Sequence, residues 1–382
     1  MRTRRILQSV TACFGALLIG VCAPTLSIAA VSNQAPGISD RLPQIHDLGT
    51  LGGATSSAVA MNEWGDIAGN SKVADGTTHA FFFNRTTHKM RDLGVGTAVD
   101  INNLGQVVGN DAGRIFLWGR HAGRRDLGSL GGASAHATDL NDRDQIVGAI
   151  DANAFRWDPR QGLRDLGAGI ATTINSRGQV AGLGDGQTGF FWDPRSGRQP
   201  ITVNSDGLSE PITEIIGIND RGQVAGTAGQ AFIWSKRDGG EPLDNLNPLS
   251  SQAYAINNHG QVVGHFLDSW LDEDFAFSWT EQTGMVAISE GLDVGATDVS
   301  DSGYVAGFAF TQARPDRRDA FRWTSSTGRQ ILAGLGGRLT TAVDVNNRGW
   351  VAGTADNIDG NAHAVAWYGS RRADWDHRIG SG

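Results

Sequence analysis

The chain has 382 residues, a formal net charge of −8, 53 glycines, 10 prolines and two cysteines. An acidic balance of this kind argues against a nucleic-acid or polybasic lipid-binding surface, and the glycine count suits many short strands joined by tight turns. Cys13 and Cys22 both fall in the first thirty residues, so the rest of the chain has no disulfide, cysteine nucleophile or thiolate metal site.

Residues 1–30 read as an export signal. Arg2, Arg4 and Arg5 give a basic start, Val10 to Val21 is an apolar run, and Ser27-Ile28-Ala29-Ala30 offers small residues for cleavage near Ala29 or Ala30. The run is shorter than the ~20 residues a spanning helix needs, so no membrane attachment is expected after cleavage. The product is secreted or periplasmic, with 29 basic against 40 acidic side chains, a formal charge of −11. Residues 31–42 form a polar leader, 43–369 a single repetitive domain, and 370–382 a C-terminal tail.

One stretch is written eight times in that domain, most cleanly as Asn257-Asn258-His259-Gly260-Gln261-Val262-Val263-Gly264. All eight copies keep the closing glycine: Gly69, Gly109, Gly148, Gly182, Gly226, Gly264, Gly307 and Gly353. The opening glycine is replaced once, by Asp144, which a left-handed turn position tolerates. Each copy therefore predicts a β-hairpin, with an apolar strand before the turn and a Gln-Val-Val-Gly type strand after it. Asn at the end of the first strand (Asn62, Asn102, Asn141, Asn175, Asn219, Asn257, Asn346, with Ser300 once) is read as bonding to the backbone of its own turn.

An aromatic strand follows each hairpin, as in Ala154-Phe155-Arg156-Trp157, and then a strand of the type Arg125-Asp126-Leu127-Gly128. Seven of the eleven tryptophans stand at the end of the aromatic strand, which makes them packing residues between neighbouring units. Four short strands per unit, with closing glycines 34 to 46 residues apart, is the period of a propeller blade. The chain begins with the fourth strand type, Gln44 to Gly49, and its last repeat ends on the third, Ala364 to Trp367. The expected fold is therefore all-β: an eight-bladed β-propeller of four-stranded blades, closed by the N-terminal strand. A seven-bladed propeller and an open β-solenoid are the alternatives.

His79-Ala80-Phe81, His363-Ala364-Val365, Asp47-Leu48-Gly49-Thr50-Leu51-Gly52-Gly53, Asp126-Leu127-Gly128-Ser129-Leu130-Gly131-Gly132 and the Asn-Asx-x-Gly-Gln-Val-x-Gly hairpins resemble the bacterial HAF repeat, named for His-Ala-Phe. The resemblance covers nearly the whole exported chain and implies an extracellular bacterial repeat protein, with no catalytic residues to carry over. The histidine is replaced in six repeats, which argues against a catalytic role in each.

Chemistry is therefore sought in what is not repeated. Between the second and third strands four repeats carry insertions, 70–79, 265–274, 308–319 and 354–363, which in a closed ring belong to blades 1, 6, 7 and 8 and stand side by side on one face. The ligand-binding candidates on them are Trp270, Asp272, Asp274, Arg314, Arg317, Asp356, Asp359 and His363, a mixture of aromatic, acid and arginine suited to a glycan or a surface protein. No catalytic residue and no metal site is assigned, and no cofactor is expected, calcium being the one ion these side chains could serve. The expected function is an exported binding module acting as a monomer. A polysaccharide hydrolase or lyase using a carboxylate pair drawn from Asp272, Glu273, Asp274, Asp316 and Asp359 is the enzymatic alternative, and a purely structural surface protein is the third.

Overall fold

The computed structural model describes residues 42–205, 208–243, 248–268, 273–291, 293–310 and 316–369. These form a propeller of eight four-stranded antiparallel blades, six of them separate sheets and the last two joined into one eight-stranded sheet by a parallel Arg318–Leu339 bridge, each blade running from an inner strand A to an outer strand D. Blades 1 to 8 begin at Gly52, Thr97, Ala135, Ile170, Glu214, Pro248, Val294 and Gly336. Strand D of blade 8 is the N-terminal Gln44–Gly49, which pairs antiparallel with strand C of that blade, Ala362–Tyr368. The offset phase of the repeats thus becomes a closure. A short hairpin that the repeat pattern gave no hint of, Asn204–Ser205 with Leu208–Ser209, lies in the link between blades 4 and 5.

The A–B turn is the same device in every blade. In blade 1 the Gly65 N–H donates to the Asn62 carbonyl at 2.9 Å and the Asn62 side-chain oxygen accepts the N–H groups of Trp64 and Asp66, both at 3.0 Å. The opening glycines lie at φ near 70–80°, and Asp144 takes the same place at φ 61°. The closing glycine is fixed by a different cause, because its φ is not left-handed. A Cβ there would run into a carbonyl oxygen of strand A, such as Gln252 O behind Gly264 or His136 O behind Gly148.

The core is divided among the interfaces between blades. Phe82 and Leu93 of blade 1 pack with Ile101, Phe116 and Trp118 of blade 2, and the last of eight such clusters joins Ala364, Ala366 and Tyr368 of blade 8 to Ala58, Ile67 and Phe81 of blade 1. The recurring tryptophan is a packing residue throughout: Trp118, Trp157, Trp192, Trp234 and Trp367 are buried, while Trp279 and Trp323 are partly buried against their clusters. Ring centroids of Phe82 and Trp118 are 4.9 Å apart, and those of Phe191 and Trp234 5.3 Å.

Candidate functional site

The A–B turns converge on the propeller axis, where their asparagines do more than the sequence suggested. Besides bonding its own turn, each buried Asn donates its amide to the carbonyl of the matching residue in the next blade: Asn62 to Asn102 at 3.1 Å, Asn102 to Asn141 at 3.2 Å, and so on to Asn257, which donates to Ser300 at 2.9 Å. Asn346 donates to Asn62 at 3.3 Å and carries the chain of bonds across the closure. The shorter Ser300 side chain bonds only within its own turn, accepting the Tyr304 N–H at 3.2 Å.

One residue further on, a second ring frames an axial mouth of ≈370 Å³ in which carboxylates of Glu63, Asp142, Asp220 and Asp301 alternate with Asn103, Ser176, Asn258 and Asn347. These acids are also ties between blades. Asp142 accepts the Asn103 N–H at 2.8 Å, Asp301 accepts the Asn258 N–H at 2.7 Å, and Glu63, whose pKa burial raises, accepts the Asn347 side chain at 2.8 Å.

Two residues before the asparagine, or before Ser300 in blade 7, and just past a bulge in strand A, four blades carry Asp: Asp100 and Asp139 in adjacent blades 2 and 3, Asp298 and Asp344 in adjacent blades 7 and 8. Each reaches the backbone of the next blade, accepting the N–H of Leu140, Ile174, Val345 and Met61 respectively at 3.1, 2.7, 2.8 and 2.7 Å. Enclosure in protein, together with the neighbouring carboxylate, holds Asp100 and Asp344 well above the usual carboxylate range, and burial raises Asp139 and Asp298. These pairs were not picked out from sequence, although Asp at that position in four copies was there to be read. Among the described residues no group of three His, Cys, Asp or Glu side chains could hold a metal ion.

The B–C hairpins and D–A links occupy the other face. In blades 1 and 8 the insertions turn out to be lengthened strands closed by a turn, because each added residue continues the ladder and so pairs its backbone groups. Strands B and C run to Val73 and from Thr78 in blade 1, and to Asn357 and from Ala362 in blade 8. In blade 8 the tip repeats the A–B device, the Asn357 side chain accepting the N–H groups of Asp359 and Asn361 at 3.0 Å. Ile358 at that tip is 81% exposed.

Of the sequence-derived candidates, Trp270, Asp272 and Arg314 lie outside the described residues. Asp356, Asp359 and His363 share the blade 8 hairpin, with Ala355 opposite His363 and Asp356 opposite Ala362. Arg317 of blade 7 is tied to Asp319 at 2.9 Å. Arg317 approaches Gly334 of the link into blade 8, and Asp356 approaches Gly337 of strand A of that blade. Asp274 lies in strand C of blade 6, opposite Leu267. Glu273 precedes it directly on that strand, so the two carboxyls point to opposite faces and do not form the pair a glycosidase needs.

His363 has a partner that spans the ring closure. Its Nδ1 lies 3.0 Å from Asp47, the Asp of the N-terminal Asp-Leu-Gly strand. His79 stands 2.9 Å from Asp92 in the same way. Where the histidine is replaced, Arg114 bonds Asp126 at 2.7 Å and Asn153 bonds Asp165 at 3.3 Å. The second carboxylate function in each case is local: Asp47, Asp92, Asp126 and Asp165 accept the N–H of the glycine two residues on, at 2.7–2.8 Å. The His-Ala-Phe and Asp-Leu-Gly segments are therefore two halves of one tie between strands C and D.

No family model matches the chain, and no curated protein matches it. Among solved structures it is similar to a chain of the crystal structure of the mitotic checkpoint complex, at 12% identity and a TM-score of 0.43, covering 90% of this chain and 99% of that one. It is also similar to selenomethionine-substituted virginiamycin B lyase from Staphylococcus aureus, at 7% identity and a TM-score of 0.46, covering 85% and 99%.

Proposed function

We propose that this chain is an exported, monomeric interaction module of the HAF-repeat type, which receives an extracellular protein or glycan partner on the arc of lengthened B–C hairpins. The observation that carries the reading is the tip of the blade 8 hairpin. Ile358 is the most exposed large apolar side chain among the described residues, and Asp356 and Asp359 stand on either side of it in the same hairpin. An exposed apolar residue rimmed by charge is how partner surfaces commonly begin. The export signal, the acidic surface and the paired His-Ala-Phe and Asp-Leu-Gly segments support an extracellular repeat protein. The axial carboxylates give no support to the hydrolase reading, since each Asp pair is already engaged with the backbone of the next blade.

The test is a binding screen of the full chain against a glycan array and candidate surface proteins, with and without calcium. Ile358→Ser with Asp359→Ala is expected to weaken the hit at least tenfold, while stability stays within ~0.5 kcal/mol as for most surface changes. Asp111→Ala with Asp151→Ala, in short B–C turns of blades 2 and 3, serves as the control. Loss of binding in the control pair and not in the first pair would remove the site from this arc.

A further inference from the structure

We propose that the groove between blades 5 and 6, on the face that carries the A–B turns, is a binding site for a neutral saccharide. It lies on the opposite face from the B–C hairpins and does not depend on the partner surface proposed there.

In two of the equivalent grooves, those at blades 1 and 2, an arginine covers the aromatic surface. Two residues past the strand C aromatic, blade 1 has Arg85, whose guanidinium lies 3.9 Å from the Trp350 ring centre of blade 8 and 5.5 Å from that of Tyr368. Blade 2 has Arg120 at the same position, bonded to Asp66 of blade 1 and 4.8 Å from the Phe82 ring centre. In blade 6 this position is Glu281. A carboxylate cannot lie on an aromatic face as a guanidinium does, and the groove stays open as a cleft of ≈480 Å³, within the range of small-ligand sites.

The lining has the two chemistries a sugar ring presents. Trp234 and Trp279 supply apolar surface, Arg221 and His259 supply donors, and Glu241 and Glu281 supply acceptors. The indole N–H of Trp279 is enclosed and has no acceptor, whereas Trp367, its counterpart in blade 8, donates to the Ala333 carbonyl at 2.8 Å. An unpaired buried donor is costly, and a ligand hydroxyl seated in the cleft would relieve it after a small shift of the indole. The carboxylates of Asp238, Glu241 and Glu281 outnumber the single guanidinium of Arg221. That balance disfavours uronic acids and other anionic sugars.

The experiment uses the full chain, with saturation-transfer NMR and tryptophan fluorescence as readouts. The probes are glucose, galactose, mannose, cellobiose, maltose and lactose, with glucuronic acid as the anionic counterpart. At least one neutral probe is expected to bind, and glucuronic acid at least tenfold more weakly. Glu281→Arg, which refills the groove as blades 1 and 2 do, should abolish that binding without lowering the melting temperature. Trp279→Phe keeps an aromatic ring at that place, loses the N–H, and should weaken binding about tenfold; it decides the matter if the arginine variant folds poorly. No binding by any neutral probe, equal binding of glucuronic acid, or undiminished binding in the folded variants would overturn the proposal.

Discussion

The A–B turns and the B–C hairpins sit at opposite ends of the same strands and use repetition in opposite ways. At the A–B end nearly every blade carries the same Asn, and its amide bonds the next blade, so uniformity closes the ring. At the B–C end the blade 8 turn is satisfied by its own Asn357, and where a hairpin does tie to the next blade, as at Gly113, Ala152 and Gln187, the acceptor is a main-chain carbonyl, so its sequence and length are free to vary. An inter-blade bond made by a side chain asks for the same residue in each copy, while one made by a main-chain carbonyl asks for none in particular.

The ring closure is where the largest loss of stability is expected. Deleting residues through Gly49 removes strand D of blade 8 and the Asp47 tie to His363, uncovering two sheet edges. The melting temperature should fall by several degrees, at roughly 2–4 °C for each kcal/mol lost in a domain of some 200 residues. An unchanged melt would mean that the ring is held by the axial bonds alone.

Trp367→Ala comes next. The side chain is fully buried between blades 7 and 8 and donates to Ala333, so ~3–5 kcal/mol should be lost, read from a denaturant midpoint. A neutral result would detach the aromatic position from blade packing.

The amide ring itself is tested in both directions. Asn346→Ala leaves the Asn62 carbonyl and two turn N–H groups, those of Arg348 and Trp350, without that side chain and should cost ~1–3 kcal/mol. Ser300→Asn supplies the one interface that lacks the link and should gain ~0.5–1.5 kcal/mol. Were Ser300→Asn to destabilise, the ring would be a consequence of blade geometry and not one of its causes.

The smallest effect concerns pH. Because Asp100 and Asp344 have raised pKa values in the fold, the native state holds more protons than the unfolded chain between the ordinary carboxylate value and the raised one. Their contribution to stability therefore falls as pH rises through that window and levels off above it. Asp344→Asn keeps an acceptor for the Met61 N–H and removes the titration, so its melting temperature relative to the parent should rise between pH 5 and pH 8. An equal difference at both pH values would mean that burial of the ionised pair is not what the substitution relieves.

Much of this fold was legible because its causes are local. Gly260 or Asp144 at a left-handed turn, Gln-Val-Val after it, and a Trp at a fixed distance are each set by the backbone of one hairpin or by one packing layer, and eight copies repeat the signal. The offset of Gln44 to Gly49 was legible too, as a strand type without its blade. The site was less so, and three of its candidate residues, Trp270, Asp272 and Arg314, lie outside the described residues. Arg317 and His363, named as ligand contacts, prove to have protein partners in Asp319 and Asp47. Asp47 is 316 residues from His363, a separation no local pattern can report.

By itself the sequence determined the repeat unit, its strand order, the tight turns and the phase that allows closure, since these follow from steric limits on φ and from alternation within a few residues. The tertiary structure decided which side chains cross between units. The Asn amide could have satisfied itself within its own turn, and only when the next strand A lies alongside does a neighbouring carbonyl come within 3.3 Å. The same is true of the groove at Glu281. A carboxylate in a C–D turn is unremarked in a sequence, and only the folded ring shows that it borders a cleft where Arg85 and Arg120 cover the aromatic surface of their own grooves.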